Sequence, residues 1–70
     1  MRLSTRNQLA GEIVSIARGE AMATIKVRLT GTEQVLTSAI TADAADDLGL
    51  VEGGQVTLLI KATDVAIGIG

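Results

Sequence analysis

Three short stretches of the chain carry hydrogen-bond donors and no carboxylate. STRNQ at 4–8 offers Ser4, Thr5, Arg6, Asn7 and Gln8. TS at 37–38 offers the hydroxyls of Thr37 and Ser38, and KAT at 61–63 offers Lys61, Thr63 and the amides around Ala62. Hydroxyls, amides, an ammonium and a guanidinium together suit a small oxyanion, which needs donors only. Lys61 is the sharpest case. It interrupts the apolar, β-branched run TLLIKATDVAI, with no acid in the eight positions before it and Asp64 as the next. An ammonium is costly to desolvate without a partner. Either Lys61 lies on the wet face of a strand, or an anion from outside the chain comes to it. Each stretch also has a plainer reading, since terminal polar residues are often loose and Thr or Ser are ordinary in strands.

Other chemistry is excluded or weakly supported. With no His and no Cys, nucleophile–base pairs of the Ser-His or Cys-His kind cannot form, and there is no disulfide framework or thiolate metal site. Asp43, Asp46 and Asp47 share one face of a helical stretch, which could hold a hard cation but reads first as a solvated surface. The GG at 53–54 and GIG at 68–70 do not lie between a strand and a helix, so they are turns and strand ends rather than phosphate loops. Nucleic-acid binding is not expected, because the net charge is −2 and no aromatic side chain is available for stacking. No apolar run approaches the ~18 residues of a membrane span. The N-terminal stretch lacks the apolar core of a signal peptide, so the expected compartment is the cytoplasm.

The elements that must position these residues follow from hydrophobic periodicity. In MATIKVRLTG, Ala23, Ile25, Val27 and Leu29 alternate with Thr24, Lys26 and Arg28, as in a strand with one dry and one wet face. QLAGEIVSIARG before it reads as a longer strand, bent or bulged near Gly11. ARGEA and LTGTEQ are turns, and QVLTSAI at 34–40 is a third strand. In TADAADDLGL, Thr41 is an N-cap, Asp43 suits the first turn, Gly49 is a left-handed stop and Leu50 folds back over the end of a short helix. QVTLLIKA at 55–62 and DVAIGIG at 64–70 are predicted as strands four and five. The order β-β-β-α-β-β predicts an all-β fold with one short helix, an OB-fold-like five-stranded Greek-key barrel forming a single domain over 1–70. A small open sheet fits the same string.

A chain of 70 residues without aromatics or disulfides has little core to offset its ordering entropy. Leu59 also falls on the nominal wet face beside Thr57, so that face is expected to be covered by another copy. An obligate homo-oligomer is therefore predicted.

In order and spacing, STRNQLAGEIVSIARGEA, LTSAIT, LGLVEGGQV and IKATDV resemble the molbindins, the small Mop-type molybdate-binding proteins. The similarity runs from Ser4 to Val65, and S-x-R-N-Q-L-x-G and I-K-A-T/S-x-V are its more specific parts. The resemblance implies a cytoplasmic protein that binds molybdate or tungstate without catalysis, for storage or homeostasis, and needs no catalytic cofactor. It implies a hexamer, a trimer of dimers, holding oxyanions between subunits. It assigns Ser4, Thr5 and Arg6 to one ligand segment, Lys61, Ala62 and Thr63 to a second, and Thr37 and Ser38 to the strand between. A second site class would use Arg18, Gly19, Glu20 and Ala21, although Met22 replaces the asparagine of the family pattern there. The alternative from a different class is a structural or regulatory oligomer that binds oxyanions incidentally or delivers them to a partner.

Overall fold

A computed structural model describes residues 4–70. Its elements are β1 (Asn7–Arg18), β2 (Met22–Leu29), β3 (Val35–Thr41), α1 (Ala42–Asp47) and β4 (Gln55–Ile60), followed by a 3₁₀ turn, Ala62–Asp64. The strands form one antiparallel sheet in the order β3-β2-β1-β4. Strand β2 shows the expected alternation: Ala23, Ile25 and Val27 are buried, while Lys26 between them is exposed. With Ile13 and Ala45 they form the core, and Ile16, Ile40, Leu50, Val56 and Leu58 pack around it.

The long strand β1 serves two partners. Its first half pairs with β4, from Asn7↔Ile60 to Glu12↔Gln55, and its second half pairs with β2, from Gly11↔Leu29 to Arg18↔Ala23. The register slips between Ile13 and Ser15, so the bulge falls at Val14, a few residues beyond the expected bend at Gly11. Gly11 has a different task. A Cβ there would collide with Cγ1 of Val27 and lie 2.8 Å from the Arg28 carbonyl, so only glycine lets β1 and β2 approach this closely. Where β4 runs out, the turn before it takes over. Gly53 N–H donates to the Ile13 carbonyl at 2.8 Å, and Ile13 N–H donates to the Gly54 carbonyl at 2.9 Å. Gly53 has φ +82°, a conformation that favours glycine.

The helix follows its sequence signals. Thr41 Oγ1 accepts from Ala44 N–H at 3.0 Å, and Asp43 sits in the first turn. At the other end Gly49 has φ +65°. Its N–H donates to the Asp46 carbonyl, and Leu50 N–H donates to the Ala45 carbonyl at 3.2 Å. This is the paired closure of a Schellman end, and it returns Leu50 to the core. Ala42 and Ala45 are the helix's buried residues, small enough for it to lie close on the sheet.

The all-β class with a single short helix and the OB-like form stand, but the fifth strand does not form within the chain. Strand β4 stops at Ile60, so Lys61 is off the sheet and begins the 3₁₀ turn. Asp64 N–H donates to the Lys61 carbonyl at 2.9 Å and Val65 N–H to that of Ala62 at 3.4 Å. Beyond this turn the chain does not pair back onto β4. Residues 65–70 therefore belong to no ladder, and the four strands make a curled half-barrel, open between β3 and β4.

Candidate oxyanion-binding site

Two of the three donor stretches meet at one end of the sheet. Asn7 and Ile60 are the last pair between β1 and β4. The 4–6 and 61–63 segments leave the sheet from that pair, so Arg6 and Lys61 stand one position beyond it on adjacent segments of the chain. Asn7 Nδ2 donates to the Ile60 carbonyl at 3.2 Å, and Gln8 Nε2 donates to the Thr5 carbonyl at 3.3 Å. Both amides thus shape the backbone that presents Ser4, Thr5 and Arg6. Ser4, Arg6, Lys61, Ala62 and Thr63 are exposed, and Thr5 is half-buried. The 3₁₀ turn bonds the amides of Asp64 and Val65, so within the turn those of Ala62 and Thr63 stay free to donate.

The cations divide cleanly. Among the described residues Arg18 pairs with Asp46, and Arg28 pairs with Glu12 at 3.7 Å. Among those residues no ion pair holds Arg6, Lys26 or Lys61. Two of these three unpaired cations flank the Asn7–Ile60 pair, in a chain that has more acids than bases.

Thr37 and Ser38 lie across the fold on β3, and as neighbours in a strand they face opposite ways. Ser38 is opposite Ile25 and turns inward; Thr37 is opposite Lys26 and turns outward. Ser38 lines a cleft of about 330 Å³ between β3 and β4, whose other walls include Leu36, Ile40, Val56, Leu58 and Ile60. That lining is too apolar for a dianion, which would lose its hydration without replacement. The 61–63 segment stands just past the end of β4, beyond the cleft's lining. The structure thus joins 4–6 to 61–63 and leaves 37–38 on the opposite edge.

The proposed second group, Arg18, Gly19, Glu20 and Ala21, occupies the end of β1 and the turn to β2. Here the guanidinium of Arg18 grips the Asp46 carboxylate through both nitrogens. Hydrogen bonding to Arg18 holds the Asp46 carboxyl below its usual range, and the same bond raises the Arg18 pKa. Gly19 N–H donates to the Met22 carbonyl at 2.8 Å, and Ala42 N–H to that of Ala21 at 2.9 Å, so the turn is tied to the start of the helix. Asp46 is engaged by Arg18, and no group of three or more metal-ligating side chains occurs among the described residues.

The OB-like half-barrel thus gathers cations without ion-pair partners among the described residues, hydroxyls and backbone amides at its paired strand ends, a donor set suited to a small anion. The chain belongs to the TOBE domain family, whose model matches residues 3–67. It is 42% identical over 67 residues to molybdenum-pterin-binding protein 3 of Clostridium pasteurianum, covering 96% of this chain and 97% of that one. Among solved structures, MopII from Clostridium pasteurianum superposes with a TM-score of 0.89 at 35% identity, covering 97% of this chain and 100% of that chain. A molybdate-binding protein from Sporomusa ovata gives 0.90 at 40% identity, over 99% of this chain and 100% of its own. The cytoplasmic molybdate-binding protein ModG, solved with molybdate bound, gives 0.92 at 36% identity, over 100% of this chain but 49% of ModG. No helix among the described residues is long and apolar enough to cross a membrane.

Proposed function

We propose that the protein binds molybdate or tungstate at the junction between subunits, holding the ion for storage or homeostasis and not transforming it. The observation that carries this reading is the pair of unpaired cations, Arg6 and Lys61, presented on adjacent segments that hold several hydroxyls and amides. Such a cluster repels itself until an anion enters. Molybdate is a tetrahedral dianion with four acceptor oxygens and no proton at neutral pH. A bond from each donor to a charged acceptor contributes roughly 1.5–3 kcal/mol. Five or six such bonds exceed the ~8 kcal/mol of a micromolar affinity before desolvation and ordering are subtracted. Phosphate near neutral pH still carries protons, and a site of donors alone leaves them unsatisfied, which favours the fully deprotonated ions.

The absence of His and Cys, and the ligand-holding role of the named relatives, support binding without catalysis. Ser4, Thr5, Arg6, Lys61, Ala62 and Thr63 supply one wall of the site, and the outward-facing Thr37 comes to it from another copy. Hexameric assembly in the cytoplasm completes this reading. Isothermal titration with molybdate, tungstate and sulfate tests it. Submicromolar binding of the first two with no heat from sulfate is expected; silence from all three refutes it.

A further inference from the structure

Arg18 already holds an anion, and that anion belongs to the chain. As the last residue of β1, Arg18 grips the Asp46 carboxylate of α1 through both guanidinium nitrogens. A guanidinium takes a tetrahedral oxyanion in the same way, with paired N–H donors on two oxygens of one group. Asp46 therefore fills the place that an outside ion would take. The fold keeps the carboxylate there. Ala42 N–H donates to the Ala21 carbonyl at 2.9 Å, which ties the start of α1 to the turn after Arg18. Ala42 and Ala45 are buried, so the exposed Asp46 is carried on a helix fixed to the body of the fold.

The surroundings add to the closure. Glu20 stands in the turn itself, and the negative charge of Asp43 also acts on Arg18. Gly19 N–H, the first amide of the turn, is spent on the Met22 carbonyl at 2.8 Å. A partner on the same chain competes at an effective concentration on the order of millimolar, even through a flexible linker. At equal intrinsic affinity, an oxyanion at micromolar concentration is thus outcompeted by about a thousandfold. We infer that Asp46 closes the 18–21 turn to outside anions, so that the protein holds oxyanions in one class of site only. Asp46 is then a specificity-determining residue that never touches the ligand: it decides where on the chain a ligand can sit. The inference deepens the proposed oxyanion reading and rests on it for the site that remains open. The closure itself rests on the ion pair.

Equilibrium dialysis of the full-length chain against molybdate, from micromolar to millimolar concentration, tests the closure. The parent is expected to fill one class of sites, and Arg18→Met is expected to bind as many ions per chain as the parent. Combining Glu20→Gln with Asp46→Asn releases Arg18 and takes two carboxylates from its surroundings. Both positions are exposed, so the core is untouched, and circular dichroism checks that each variant is folded. The double variant is expected to bind more molybdate per chain than the parent, in a second and weaker class. Adding Arg18→Met to it should remove the surplus. A second class in the parent that Arg18→Met abolishes overturns the closure. So does a folded double variant that binds no more than the parent. The two ideas fail separately. A parent that binds, with a double variant that adds nothing, sinks the closure alone. A silent parent, with a double variant that binds through Arg18, sinks the oxyanion reading alone.

Discussion

Asn7 reaches across the last pair of β1 and β4 and donates to the carbonyl of Ile60, 53 residues away in sequence. The bond fixes where two chain segments leave the sheet, and those segments carry Arg6 and Lys61. Asn7→Ala removes the bond and leaves the ladder beneath it. A stability loss of about 1 kcal/mol is expected for a half-buried hydrogen bond. Molybdate affinity should fall as well, because the two donor segments are no longer held in register. Chemical denaturation and calorimetric titration on the same variant check both outcomes. An unchanged affinity alongside the stability loss means that Asn7 supports the sheet only.

Lys61→Met keeps the apolar stem and deletes the ammonium. Loss of one charge-assisted bond should weaken molybdate binding by roughly 1.5–3 kcal/mol, about one to two decades. The ligand-free protein should be no less stable, since Lys61 is exposed and forms no ion pair among the described residues. Molybdate should raise the melting temperature of the parent and raise that of the variant much less. Equal affinities at the same salt concentration would show that Lys61 is only a solvated residue.

Gly11→Ala tests the closeness of β1 and β2. The new Cβ meets Val27 and the Arg28 carbonyl, and backbone must give way. Overpacking of this kind costs about 1–3 kcal/mol. A shift in the denaturation midpoint of that size is expected; a neutral substitution would mean that the strands separate easily there.

The Arg18–Asp46 pair gives a pH dependence of definite sign. Its folded-state carboxyl pKa is lowered, chiefly by the hydrogen bond from Arg18. Its contribution to stability is therefore complete above the ordinary carboxylate pKa and is lost as acid protonates the folded form below it. The contribution is small, because both side chains are about half exposed. Asp46→Asn should lower stability slightly at neutral pH and make no difference in strong acid. Thermal melts of the two proteins from pH 7 to pH 2 should converge; parallel curves would contradict the pairing.

Single-stranded DNA or RNA should not bind at physiological salt, given the acidic balance and the lack of stacking side chains. Micromolar affinity in an anisotropy titration would contradict this.

Local signals carried most of the fold. The alternation of Ala23, Ile25 and Val27, the Thr41 cap and the Gly49 stop each depend on residues within a turn or two, and each is where periodicity and capping chemistry place it. Non-local effects were harder to read. Gly11 looked like a bend, but its reason lies on the facing strand, and the slip itself falls at Val14. The stretch at 64–70 has real strand periodicity, but periodicity says nothing about which edge a strand will join. At the site, the donor types of 4–6 and 61–63 were visible in the chain, whereas their adjacency depends on the Asn7–Ile60 pairing. The engagement of Arg18 by Asp46 bridges residues 28 apart, and no sequence spacing announced it.

The 53-residue separation of Asn7 and Ile60 also orders events in time. The β1–β2 and β2–β3 pairings close over short turns, so they can form early, whereas β4 must return across most of the chain. The two donor segments are therefore expected to come together late in folding and to separate early in unfolding. An anion bridging them at the proposed site would then act on a contact formed after the folding transition state. Its bound form should slow the unfolding rate and leave the folding rate nearly untouched. Ligand occupancy then governs how long a folded molecule lasts more than how quickly it forms.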